Sequence, residues 1–268
     1  MTAREFLRTL HQSNPVLSVT GWIHVALLGA MLCAAPFDSR QILGVSPWMK
    51  PMKFAFSIAL YTWTLGWLMR FLDIPRRLLQ ALSGGVALAM LAEIVCISLQ
   101  SARGTTSHYN DFPPLDRIVF QIMIVMILLN SLLVLVVLVL SFIRLGALPP
   151  VVRMGIQFGL LLFLAGSLEG LVMIFNRAHT VGLADGGPGL PLLNWSTRAG
   201  DLRIAHAAGL HGIQILPLAG YAISRWMNRS QASMQMMMMT LVALVYLVLM
   251  AFLLSQAFAG RPLLPAGA

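Results

Sequence analysis

Residues Ile118–Leu145 read IVFQIMIVMILLNSLLVLVVLVLSFIRL. The one charge in this run is Arg144, near its far end, and beyond Gln121 the interior polar residues are Asn130, Ser131 and Ser141. At about 1.5 Å per residue, a helix of this length outreaches the roughly 30 Å hydrocarbon core of a bilayer. A helix that is apolar all round is a deeply buried one or a membrane span. The run therefore reads as a span with most of its surface toward lipid. It sets the class of the whole chain as an all-α integral membrane protein.

Working outward, three comparable runs precede it, at about 16–35, 48–72 and 78–100. Three more follow, at about 151–176, 202–226 and 234–258. The expected architecture is a bundle of seven transmembrane helices forming one polytopic membrane domain over residues 1–268. Pro36, Pro47, Pro75, Pro113, Pro114, Pro149, Pro150 and the Gly/Pro-rich stretch Gly186–Pro191 fall between the runs, where helix breakers belong. Residues 1–15 place Phe6, Leu7 and Leu10 beside Arg4 and Arg8, the pattern of a short amphipathic segment lying in the interface. A cleavable leader ending near Cys33 and Ala35 is the competing reading. The run from Val16 is long for a signal core, so a retained first span is expected.

Composition agrees. The 268 residues are 58% hydrophobic and only 10% charged, against about 25% charged in soluble domains. The formal charge of +9 does not point to nucleic acid. The basic residues stand scattered at the ends of apolar runs, where they meet lipid headgroups, and form no single patch. Cys33 and Cys96 both fall in spans and give neither a disulfide framework nor a paired-cysteine motif. No phosphate-binding loop or nucleophile elbow is present.

Counting Lys and Arg on the two sides of a seven-span chain gives a tie. Arg4 and Arg8 precede the first span, which usually sets orientation. The N-terminus is therefore expected in the cytoplasm of a bacterial inner membrane and the end of the last span outside.

Four ionisable residues interrupt the spans: His24, Glu93, Glu169 and His211. Each costs at least a few kcal/mol in hydrocarbon unless it faces protein or a wet cavity. Counted from the outer span ends, Glu93 and Glu169 lie roughly 10 Å deep, His211 roughly 13 Å and His24 roughly 16 Å. All four fall in one band, so a shared outward-facing polar pocket is expected. Lys50 and Lys53 share a face at the start of the second span, where backbone N–H groups favour anions. Arg177 and Arg203 flank the loop after the fifth span, and His108, His179, Asp201 and His206 are expected at the pocket mouth. His206 and His211 are five apart and point away from each other, so one helix cannot chelate a metal with both. His211, with Gln214 three residues on, is the better candidate to look inward.

Three functions follow from this set. His24 and His211 can ligate a b-type haem, with Lys50, Lys53, Arg177 or Arg203 meeting its propionates. With Glu93 and Glu169 they form a mixed imidazole–carboxylate set suited to zinc or iron, for redox or hydrolytic work on a small or lipid-like substrate. Glu93 and Glu169 would then ligate or transfer protons as the catalytic pair. The haem or metal reading is the leading expectation; the alternative is a proton-coupled carrier of a small anion, which paired membrane carboxylates also suit. A non-catalytic assembly or sensory role is the third. A retinal protein is excluded, because the seventh span has no lysine.

Overall fold

The computed structural model describes residues 2–265, and the chain divides into two compact units, Met1–Val137 and Leu138–Ala268. Each of the seven expected runs is a helix, preceded by one short additional helix.

The first unit begins with α1 (Ala3–Ser13), α2 (Pro15–Ala34), α3 (Met49–Met69) and α4 (Arg76–Ala102). It also contains most of α5 (Pro114–Ile143). A capping box starts α1: the Glu5 N–H donates to the Thr2 hydroxyl, and the Thr2 N–H donates to the Glu5 carboxylate. Asn14 ends α1 and caps α2, its side chain accepting from the Leu17 N–H, with Pro15 at the first helical position. The buried face of α2 carries Asn14, Ser18, Gly21 and His24, a polar and small stripe at helical spacing. Lipid gives helices no hydrophobic reason to associate, so such stripes supply close packing and hydrogen bonds. Asn14 Nδ2 donates to Ser83 Oγ on α4 at 2.8 Å, and the Trp63 indole of α3 donates to the Ser18 carbonyl at 3.2 Å. The Trp63 ring lies where a Cβ on residue 21 would stand, so only glycine fits there. Tyr61 Oη donates to Asn130 Oδ1 at 2.8 Å and ties α3 to α5.

The second unit holds the end of α5, then α6 (Pro150–Asn176), α7 (Leu202–Trp226) and α8 (Ala232–Phe258). Here α6 and α7 approach to backbone contact through Gly155, Gly159 and Gly166 against Gly209, Gly212 and Gly220. A Cβ at Gly209 would stand 2.5 Å from the Gly166 Cα. The loop between α6 and α7 is tied by two short antiparallel strands, β1 (Thr180–Val181) and β2 (Gly200–Asp201), with Thr180 opposite Asp201.

Five helices are long and apolar enough to cross a membrane: α2 with the turn that follows it, α4, α5, α6 and α8. The protein is therefore a multi-pass helical membrane protein, and its surroundings are a lipid bilayer. The remaining long helices, α3 and α7, contain Lys50, Lys53, Arg203, His206, His211 and Gln214 and fall short of that apolarity. Among the five, α5 and α8 are the least buried, and both carry exposed Leu, Ile, Val, Phe or Met side chains along their length.

Candidate functional site

In the first unit His24 is wholly buried in the packing of α2 on α4. Its Nδ1 donates to the Thr20 carbonyl one turn back, at 2.8 Å, and its Nε2 lies 3.4 Å from the Met90 carbonyl oxygen of α4. Iron or zinc needs a ring lone pair with open space before it. With Nδ1 carrying the proton, the lone pair is on Nε2, and that atom faces a carbonyl oxygen inside a closed contact. Glu93 follows Met90 by one turn of α4, so His24 and Glu93 occupy neighbouring levels of the same unit. Glu93 is buried, and its Oε2 has no hydrogen-bond partner. Lys50 is near enough for its charge to bear on Glu93.

At the end of this unit where α3 begins and α4 ends, the two adjoining loops are stitched together. Arg40 forks onto Asp38, at 2.9 and 2.7 Å, and its Nη1 donates to the Ala102 carbonyl at 2.9 Å, a cation on a helix C-terminus. The Arg40 guanidinium beside Asp38 holds that carboxyl well below the usual carboxylate range, with help from the Trp48 indole N–H at 3.0 Å. Lys50 Nζ donates to His108 Nδ1 at 3.1 Å, and the imidazole ring is surrounded by Phe54, Tyr109 and Phe120. Beside it Asp116, buried, accepts from Gln100 Nε2 at 3.0 Å, from Asn110 Nδ2 at 2.8 Å and from Arg103. The expected mouth residue His108 and the expected anion-binding Lys50 are thus brought together. Lys53 sits one turn further along α3, half-buried.

In the second unit Glu169 on α6 is buried, and its Oε2 also lacks a partner. His206 turns into the contact between α6 and α7, where its Nδ1 donates to the Gly166 carbonyl at 2.7 Å and its ring lies beside Gly170. His211 is half-buried, its Nδ1 3.3 Å from Gln214 Oε1 on the same helix. Arg203 is bound within its own loop: it forks onto Asp201 at 2.8 and 2.6 Å and donates to the Asn194 carbonyl at 2.6 Å. Asp201 itself is buried and caps α7 through the Arg203 N–H. Arg177 ends α6 in the left-handed conformation, at φ 54°.

His179 pairs with Asp185 at 2.5 Å, and the same carboxylate accepts from two backbone N–H groups and the Thr180 hydroxyl. Burial alone would raise the Asp185 carboxyl. The His179 contacts and the Thr180 hydroxyl outweigh it and hold the group well below the usual range.

Within neither unit do three His, Cys, Asp or Glu side chains of the described residues come together as a metal site. Sequence reading missed Asp116, Gln100, Asn110 and Asp185. The spacing of Gln100 and Arg103 was the available signal for the first cluster, since residues three apart share a helix face. No family model matches the chain, and neither the curated proteins nor the solved structures contain a match to it.

Proposed function

We propose that this chain is a seven-span protein of a bacterial inner membrane, N-terminus in the cytoplasm, that moves a small anionic solute together with protons. Glu93 and Glu169 are its proton carriers. The observation that supports this reading is the same in each unit: a buried carboxyl group, in a helix apolar enough to span, with one oxygen left without a partner. A permanently ionised carboxylate in such a place costs several kcal/mol, whereas a carboxyl that takes up and releases a proton resolves the cost during its cycle. The Lys50 and His108 pair, with Lys53 one turn on, supplies cationic groups to attract the anion. In this reading α3 and α7 also cross the membrane. Their polar residues face protein and the solute path, which is why their composition is the least apolar.

The haem and metal readings find less support. His24 has no open coordination face, and no three-residue donor set forms among the described residues of either unit. The test is reconstitution into vesicles containing a pH-sensitive dye, with a panel of small carboxylates and phosphates added outside. Solute-dependent proton entry is expected, reduced about tenfold or more in Glu93→Gln or Glu169→Gln. Flux indifferent to both substitutions, or a Soret band or stoichiometric metal in the purified protein, would sink the reading.

A further inference from the structure

The end of the first unit where α3 finishes and α4 begins carries a different chemistry from the Lys50 end. Here α1 lies against α2 and α3, with much of its apolar face turned to protein: Leu10 is fully buried against Gly66, and half-buried Phe6 packs on Trp67 with ring centroids 4.8 Å apart. What α1 presents outward is its polar face, with Arg4 and Arg8 exposed. The Arg70 guanidinium carbon lies over the Trp67 and Phe71 rings, 4.2 and 4.9 Å from their centroids, and the residue is exposed. Arg76 and Arg77, also exposed, open α4 after a short turn. A cation in the first turn of a helix gains nothing from the backbone dipole, which leaves these two exposed charges available to an anion outside the helix.

Scattered along the sequence, where they read as forming no single patch, five arginines are gathered by the fold at this end, against two carboxylates. Glu5 is one of them and is bonded to the Thr2 N–H. Asp73 is the other.

We infer that this surface is a docking site for anionic phospholipid headgroups of the bilayer leaflet that surrounds it. The argument is complementarity. Guanidinium groups pair with phosphate oxygens in two-point contacts, and the inner leaflet offers a dense layer of them. Trp67 and Phe71 mark the headgroup level, where aromatic side chains of membrane proteins gather. The helix α1 then serves as a clamp that holds two arginines at the interface. The site is separate from the residues proposed to move protons and rests on the proposed function only for the orientation that sets this end at the inner leaflet.

The experiment uses the full-length protein in detergent, with phosphatidylglycerol, phosphatidylcholine or inorganic phosphate added and retained lipid read by native mass spectrometry. Phosphatidylglycerol should be retained in preference to phosphatidylcholine, should leave as salt is raised, and should not be displaced by millimolar phosphate. Joint replacement of Arg4, Arg8, Arg76 and Arg77 by Gln should cut retention about tenfold or more, and joint replacement by Lys should keep most of it. Arg70 is left in place because it packs on two rings. Equal retention of the two lipids, retention indifferent to salt, displacement by free phosphate, or full retention by the Gln variant would each overturn the assignment. Should the Gln variant fail to fold, the salt and lipid comparisons on the unaltered protein decide it.

Discussion

Asp116 shows how much one carboxylate can hold. Its buried oxygens accept from Gln100, Arg103 and Asn110, and so join the last turn of α4, the following loop and the first turn of α5. Asp116→Ala leaves these donors facing a gap, and a loss of about 2–4 kcal/mol is expected. A fall in the midpoint of thermal unfolding in detergent measures it, with exposed Asp73→Ala as the surface comparison. Asp185 makes a prediction with a sign. Its folded-state pKa is depressed, so its contribution is fully present above the unfolded value near 4 and disappears as pH falls through the lower, folded value. Unfolding followed from pH 6 down to about 3 should show the loss begin below pH 4, and Asp185→Asn should flatten that part of the profile. Neither residue stood out in the sequence, because an aspartate in a loop or at a helix start looks alike whether it is solvated or bonded several times. The intramembrane Glu93 and Glu169 did stand out, since hydrocarbon makes any carboxyl conspicuous.

Helix positions were legible for the same reason, and helix partners were not. The run 118–145 announces a span by composition alone, and the structure has α5 at Pro114–Ile143. The pairing of α6 with α7 depends on which glycines meet, and glycine is common in membrane helices whether or not it lies at a contact. Gly166 and Gly209 meet backbone to backbone, while Gly84 on α4 has open space where a Cβ would stand. Gly209→Val should therefore separate α6 from α7 at a cost of about 1–3 kcal/mol. Gly84→Ala should be neutral or stabilising by up to about 1 kcal/mol, because alanine is the better helix former. Unfolding curves of the two variants check this, and equal effects would mean that the close approach does not hold the second unit together. The loop strands β1 and β2 were illegible, since two-residue strands leave no alternation to read.

For the whole chain the number of crossings decides which loops share a side, and seven crossings and five make opposite predictions. With seven crossings, Ser39 in the first loop and Gly187 in the fifth face one side, while Asp73 and Asn228 face the other. If α3 and α7 do not cross, Ser39 shares a side with Asp73, and Gly187 shares the other with Asn228. All four positions are exposed, so a cysteine at each would meet a reagent in solution. The native Cys33 is exposed and Cys96 is buried, so both are first replaced by Ser or Ala. A membrane-impermeant maleimide applied to intact cells should label Ser39→Cys and Gly187→Cys directly. It should reach Asp73→Cys and Asn228→Cys only after the membrane is opened. The orientation rests on basic residues that divide evenly by number, so their placement has to decide. Arg4, Arg8, Arg70, Arg76 and Arg77 gather at one end of the first unit, and short basic segments near span ends are the ones that stay in the cytoplasm. Labelling of Asp73→Cys in intact cells, with Ser39→Cys protected, would invert the protein. It would also place the arginine surface against the outer leaflet, where fewer anionic lipids await it.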